Sequence, residues 1–318
     1  VSSADALGVT AEDRYLFARV AAWNPSETFA HLSVEKLSAI ASSHGLEFAT
    51  AVLHDRACRA PRHAAFRTRV FAAPKVTASL VEIIGIVPGA FHGQHKHTGA
   101  DGVRIAGIVQ GLAPQIEILP VQSFGPLDEN ARIILDWLEA RRGRRIALTS
   151  LSKGGADLKR ALASPRSAEA FASVSAWVNF SGIVEGTPLV SWLRDRPLRS
   201  AALSLLMRFQ GNRSAVIDEL RRGPNSPLAN WPKLPSHLHV VHVNGYPLER
   251  HLRHKWAPRG YARLASLGPN DGGGILLGDL PKLPGLVCPI WGADHYLQPS
   301  WDITPLLRAI VVTALRDT

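Results

Sequence analysis

Residues 148–155 read Leu148-Thr149-Ser150-Leu151-Ser152-Lys153-Gly154-Gly155, and the fold turns on how they are read. Just before them, residues 145–149 make a short apolar run suited to a buried strand. Residues 154–163 carry the spacing of a helix. A tight turn must join the two, and small residues flank it: Ser150 on one side, Gly154 and Gly155 on the other. Small residues suit such a turn because its backbone is strained and passes close to neighbouring elements. The turn would lift the Ser152 hydroxyl above the sheet edge. It would also aim the first amides of the helix at the space around that hydroxyl, where negative charge is stabilised. Ser150 is the competing hydroxyl, and a helix-capping role for Ser152 is the plain alternative. The Lys153 side chain is expected to face solvent, leaving its backbone N–H as the group that serves the turn.

The same alternation extends outward. Val81-Glu82-Ile83-Ile84-Gly85-Ile86-Val87 is a β-branched run closed by Pro88-Gly89, and residues 115–121 form another. Residues 128–141 predict a helix with Ile133, Ile134, Trp137 and Leu138 on its apolar side. Residues 171–180 and 237–244 read as strands. Strands alternating with helices predict an α/β fold, a mostly parallel sheet with helices on both faces. Residues 183–235 interrupt this rhythm with Pro188, Pro197, Pro224, Pro227, Pro232 and Pro235, and with helical stretches at 200–209 and 216–222. Apolar residues such as Trp192 and Leu205 suggest a helical cap over a pocket; a plain structural excursion is the alternative. Residues 1–78 read as a mainly helical N-terminal extension, with helix spacing over 15–22 and 34–42 and Ser33 capping the second. The expected organisation is therefore an extension over 1–78 and a domain over 79–318 with a cap or lid at about 183–235.

The segment around Ser152 resembles the nucleophile elbow of the α/β-hydrolase family, Gly-x-Ser-x-Gly, with Ser150 in place of the first glycine. This resemblance implies the remaining parts. Val87-Pro88-Gly89-Ala90-Phe91-His92-Gly93, about 60 residues before Ser152, is similar to the family's oxyanion loop. It implies a backbone donor at Phe91, with Ala90 the alternative, and a second donor at Lys153. A late histidine should act as base, because imidazole accepts and returns a proton near neutral pH. His295, in Trp291-Gly292-Ala293-Asp294-His295-Tyr296, follows a strand-like 286–290 and precedes a closing helix over 303–315. Gly268-Pro269-Asn270-Asp271-Gly272 is similar to the Asn-Asp-Gly segment of bacterial lipases, which implies Asp271 as the orienting acid. Asp279 and Asp294 are its rivals. The chain order Ser, Asp, His is the order the family uses. The resemblance thus implies a serine hydrolase cleaving carboxylic esters, an esterase or lipase, through an acyl-enzyme on Ser152. A thioesterase or acyltransferase with the same triad, or a non-catalytic binding protein of the same fold, are the alternatives. The implied partner is a small-molecule ester with an acyl or aromatic group, and no cofactor is called for.

Composition narrows the remaining classes. The chain has 318 residues, 46% of them hydrophobic, enough for a sizeable core. Its formal net charge is +10, with 28 Arg against 8 Lys, and the densest basic cluster is Arg141-Arg142-Gly143-Arg144-Arg145. No nucleic-acid module or set of stacking aromatics accompanies that charge, so a solvated helix end is expected and no nucleic-acid partner. No apolar run reaches the ~18 residues of a membrane span; residues 306–315 come nearest and contain Arg308. Gly272-Gly273-Gly274 lacks the residues of a phosphate loop. His92, His95 and His97, with Asp101, compose the one metal-like pattern, but Lys96 sits inside it, and a pocket-rim role is preferred. His251 and His254 are expected at the surface. Cys58 and Cys288 are expected as two buried thiols rather than a disulfide. Residues 1–20 contain no apolar signal region. The compartment is open, with a cytoplasmic setting slightly favoured over secretion after signal cleavage. The oligomeric state is open.

Overall fold

The computed structural model describes residues 8–74, 76, 78–93, 95–209 and 215–317. Four helices come first: α1 (Ala11–Ala22), α2 (Val34–His44), α3 (Leu46–Arg59) and α4 (Pro61–Phe71). α1 starts at a capping box in which the Thr10 hydroxyl accepts from the Asp13 N–H and the Asp13 carboxylate accepts from the Thr10 N–H. The expected Ser33 cap is present, its hydroxyl accepting from the Lys36 N–H at 3.2 Å.

Six strands follow: β1 (Ile83–Val87), β2 (Gln115–Ile118), β3 (Ile146–Leu151), β4 (Val174–Phe180), β5 (His239–Tyr246) and β6 (Leu286–Trp291). Their order in the sheet is β2-β1-β3-β4-β5-β6. β1 pairs parallel with β2 and with β3, and β3 pairs parallel with β4. Parallel neighbours need long crossovers. α5 (Val103–Val109) joins β1 to β2, α6 (Leu127–Glu139) joins β2 to β3, and α7 (Lys153–Leu162) with the short α8 (Ser167–Ala170) joins β3 to β4. Every residue of β1 is buried, as continuous β-branched runs in parallel sheets generally are, whereas both ends of the edge strand β2 are exposed. The strand expected from residue 171 begins at Val174, because the Phe171 N–H still donates to Ser167 O at the end of α8. The strand expected to reach 121 stops at Ile118, just before Leu119-Pro120.

The chain divides into two compact units. One contains β1 to β4 and the chain up to Val241, rejoined by the last residues from Ala314. Its sheet packs on α6, where Gly85 of β1 meets Trp137 and Leu148 so closely that a Cβ would stand 2.8 Å and 2.9 Å from their side chains. The interruption after β4 carries α9 (Pro188–Arg194), α10 (Pro197–Phe209) and α11 (Ala215–Glu219). Arg194 joins α9 to α11 through two bonds to Asp218, at 2.8 Å and 2.7 Å. Both ends of this insertion are fastened to α7 by one buried residue. The Lys159 ammonium donates to Val184 O (2.8 Å), Glu185 Oε1 (2.9 Å) and Leu228 O (2.7 Å), and sits over the Trp231 ring.

The other unit gathers the N-terminal helices and His242–Thr313, including α12 (Ala257–Leu264) and most of α13 (Thr304–Arg316). Asp13 is fully buried and accepts from Arg250 at 2.6 Å, while Arg250 also reaches Glu47 of α3 at 2.8 Å. Burial opposes the Asp13 charge, but bonds from His251 and the Thr10 amide outweigh it and hold the carboxyl well below the usual range.

Gly85→Ala would force a methyl against Trp137 and Leu148. The expected loss is about 1–3 kcal/mol, read as a lower midpoint in urea unfolding at unchanged slope. An unchanged midpoint would refute this account of sheet–helix packing.

Candidate functional site

Ser152 stands between β3 and α7 with φ 48° and ψ −117°. A positive φ on a residue with a side chain is costly and persists only when its surroundings fix it. Here the Ser152 N–H donates to Phe180 O at 3.2 Å. Its carbonyl accepts from Gly155 at 3.0 Å and Ile183 at 2.9 Å. The two glycines of the sequence motif are required by contact. A Cβ on Gly154 would run into the carbonyls of Val87 and Pro88 at the end of β1. One on Gly155 would stand 2.6 Å from Asn179 Oδ1 and 2.8 Å from Gly182 Cα. α7 therefore begins immediately after Ser152, with its first-turn amides near the serine.

The loop after β1 lies against this turn. A Cβ on Gly89 would be 3.2 Å from Ser152 Cβ and 3.0 Å from Leu151 O. Phe91 also has a positive φ, 61°, and its ring packs edge-to-face on Phe124 with centroids 4.6 Å apart. Its carbonyl accepts from the His95 N–H at 2.8 Å. The geometry thus brings together Ser152, Lys153 and the loop carrying Ala90 and Phe91, all of them singled out by the sequence.

Ser150, the rival hydroxyl, is committed elsewhere. It is fully buried, donates to Asn179 Oδ1 at 2.7 Å and accepts from Trp177 Nε1 at 2.8 Å. Lys153 corrects the expectation of a solvent-facing side chain. It is 1% exposed, and its ammonium donates to Asp157 Oδ1 at 2.7 Å one turn along α7. A glycine-lined helix start pressed onto the end of β1 leaves this side chain directed into the protein, and Asp157 is what makes its burial tolerable. Asp157 also accepts from Asn130 Nδ2 of α6 at 3.0 Å.

In the other unit, His295 Nδ1 contacts Asp271 Oδ2 at 2.6 Å. The second oxygen of Asp271 accepts backbone N–H bonds from Gly273 (2.9 Å), Gly274 (3.0 Å) and Ile275 (3.0 Å). Four bonds to one fully buried carboxylate fix its orientation. Gly273 passes directly beneath the imidazole, and a Cβ there would collide with His295 Cγ. Asn270 braces the loop from its other side, its Oδ1 accepting from the Gly272 N–H at 3.1 Å. Of the rival acids, Asp294 accepts from the amides of Arg253, His254 and Tyr296, which directs it away from its neighbour His295. Asp279 lies in the short helical turn Leu277–Lys282. Burial disfavours the His295 cation, but the charge and hydrogen bond of Asp271 outweigh it, so the imidazole pKa is raised.

Two further histidines correct the sequence reading. His251 and His254, expected at the surface, are both buried. His254 stacks on Tyr296 with centroids 3.7 Å apart, and its N–H donates to Asp294. His251 Nδ1 accepts from the Leu248 N–H, and its ring lies 5.6 Å from that of Trp291. His92 bonds through Nδ1 to Gly89 O at 2.8 Å, and the His95 and His97 rings lie 5.6 Å apart. Among the described residues no three His, Cys, Asp or Glu side chains are grouped to hold a metal ion. Cys58 and Cys288 are not joined in a disulfide; Cys288 is buried and Cys58 partly so, its sulfur against the His54 ring. No described helix is long and apolar enough to cross a membrane.

A sheet of this order, with a serine on a left-handed turn between its third strand and the following helix, has the α/β-hydrolase fold. No family model matches the chain, and no curated protein sequence matches it. Solved structures do. A metagenomic carboxyl esterase is similar over 77% of this chain and 79% of its own, at 18% identity and a TM-score of 0.55. The propeptide form of a Bacillus licheniformis lipase is similar at 17% identity and a TM-score of 0.52, covering 71% of this chain and 48% of that one. At such identities the likeness establishes the fold.

The raised His295 pKa makes its stabilisation fully present below the unfolded-state value of about 6.5 and lost as pH rises through the folded value. Asp271→Asn removes the charge that raises it, leaving burial to act. The expected result, by NMR titration of the ring, is a lower His295 pKa in the variant. An unchanged value would disprove the coupling.

Proposed function

We propose that the protein is a serine hydrolase that cleaves carboxylic esters through an acyl-enzyme on Ser152, with His295 as general base and Asp271 as the acid that orients it. The observation that carries this reading is the clamped positive φ of Ser152 at the start of a helix. Capping a helix does not require that conformation, whereas presenting a hydroxyl above a sheet edge does. The buried Asp271–His295 pair supports the base and its tautomer, since a carboxylate on Nδ1 leaves Nε2 to accept the serine proton. The carboxyl esterase and lipase named among similar structures agree with an ester substrate.

In the first half of the reaction Ser152 Oγ attacks the ester carbonyl as His295 takes its proton. The backbone N–H groups of Phe91 and Lys153 stabilise the tetrahedral oxyanion, and His295 protonates the departing alcohol. Water then repeats the cycle on the acyl-enzyme and releases the acid. The insertion over 183–235 is read as a cap, and its apolar content favours an acyl or aromatic group over a highly charged substrate.

Two hydroxyls two residues apart give a sharp test. Ser152→Ala should abolish labelling by a fluorophosphonate probe and hydrolysis of p-nitrophenyl esters. Ser150→Ala should keep the labelling while losing about 1–3 kcal/mol of stability, because the buried Trp177 Nε1 loses this acceptor. Labelling that survives in folded Ser152→Ala protein overturns the assignment. Among the acids, Asp271→Asn should lower kcat by roughly 10³-fold or more, and Asp279→Asn by far less.

A further inference from the structure

The buried Lys153 side chain is the least expected feature of the elbow, and its partners lead back to the other half of the oxyanion site. The Lys153 ammonium bonds Asp157 at 2.7 Å, and Asp157 accepts from Asn130 Nδ2 at 3.0 Å. Asn130 then holds the backbone of residue 122 in both directions. Its Nδ2 donates to Gln122 O, and its Oδ1 accepts from the Gln122 N–H, each at 2.9 Å. Gln122 opens the loop that ends at Gly125, whose N–H returns to Gln122 O at 3.1 Å. That loop carries Phe124, the ring against which Phe91 packs. Lys153, Asp157 and Asn130 are all 1% exposed or less. One polar chain thus begins at the residue bearing one oxyanion donor and ends beneath the residue bearing the other.

We propose that Asp157 and Asn130 are positioning residues for the oxyanion site, fixing the spacing of the Lys153 and Phe91 amides through this chain. The inference rests on the ester-hydrolase reading of Ser152. Oxyanion stabilisation depends on donors set in advance at the distance the transition state needs, so small displacements lower kcat more than they alter substrate binding. A network of this kind holds its geometry only when each member is satisfied.

The chain also has an electrical state. Burial pushes the Asp157 carboxyl up to about 6, against the opposing effects of Lys153 and of Asn130; Glu219, the other acid acting on it, raises it further. Protonation of Asp157 removes the ammonium's partner. His295 also gains a proton on the acid side. Protonation of His295 stops turnover while that of Asp157 weakens it, so log(kcat/KM) should fall with a slope steeper than 1 near pH about 6.

The test uses the full chain, a p-nitrophenyl ester and a fluorophosphonate probe. Asp157→Asn should reduce kcat about tenfold or more with KM changed by less than about threefold, and its acid limb should relax to a slope of 1. Should Asp157→Asn fail to fold, the double variant Lys153→Met/Asp157→Leu replaces the pair by apolar side chains of similar bulk, an exchange that buried ion pairs commonly tolerate. It should fold, keep fluorophosphonate labelling and show the same loss in kcat with a slope of 1. Wild-type kcat and an acid limb as steep as that of the wild type in either folded variant would overturn the positioning role while leaving the hydrolase reading intact. A wild-type protein inert to both reagents would instead overturn the hydrolase reading itself, and this inference with it.

Discussion

Ser152 keeps a left-handed backbone only because three hydrogen bonds and two glycine contacts close around it. Its amide is tied to the end of β4, and its carbonyl to the first turn of α7 and to Ile183. Gly154 lets the helix start touch the end of β1, and Gly155 lets it touch Asn179. Strand order, helix direction and the loop after β1 all meet at these few atoms. Removing the close approach would separate α7 from the sheet, and the serine would relax to an ordinary conformation. The turn is therefore a packing consequence as much as a local one: the sheet must be assembled for the strain to exist.

The Asp271–His295 pair solves a similar problem by other means. A buried carboxylate needs several donors, and the consecutive amides of Gly273, Gly274 and Ile275 supply three because they can converge on one oxygen where few side chains intrude. Gly273 also leaves room for the imidazole above it. Of the three glycines at 272–274, which carry no phosphate-loop signature, Gly273 and Gly274 have this structural use, while Gly272 donates to Asn270 Oδ1.

Much of this is legible in the residues. The β-branched runs at 81–87 and 145–149 declare buried parallel strands. The small residues around Ser152 declare a crowded turn, and Asn270-Asp271-Gly272 stands out at a suitable distance from His295. Side-chain direction is what escapes. Lysine is ordinarily exposed, so pattern alone puts Lys153 in solvent; the i,i+4 spacing to Asp157 is the available signal, but the pair's burial depends on Asn130, 23 residues earlier in the chain. Ser150 looks like a degraded glycine, and only its bonds to Asn179 and Trp177 give it a purpose. His251 and His254 have helical spacing, which says nothing of Asp294 or Tyr296 arriving from 40 residues away. Burial of polar groups is decided by partners distant in sequence, and periodicity carries no information about them.

Lys159 gives the insertion after β4 a particular character. One ammonium holds Val184 and Glu185 at its entrance and Leu228 at its exit. The chain between them is in effect a closed ring sewn to α7. The entropy of closing such a ring grows only slowly with its length. Segments of quite different size and sequence can therefore be exchanged between those anchor points without unfastening the helix that starts at the serine. The insertion after β4 is modular for a chemical reason, and its socket is a single lysine.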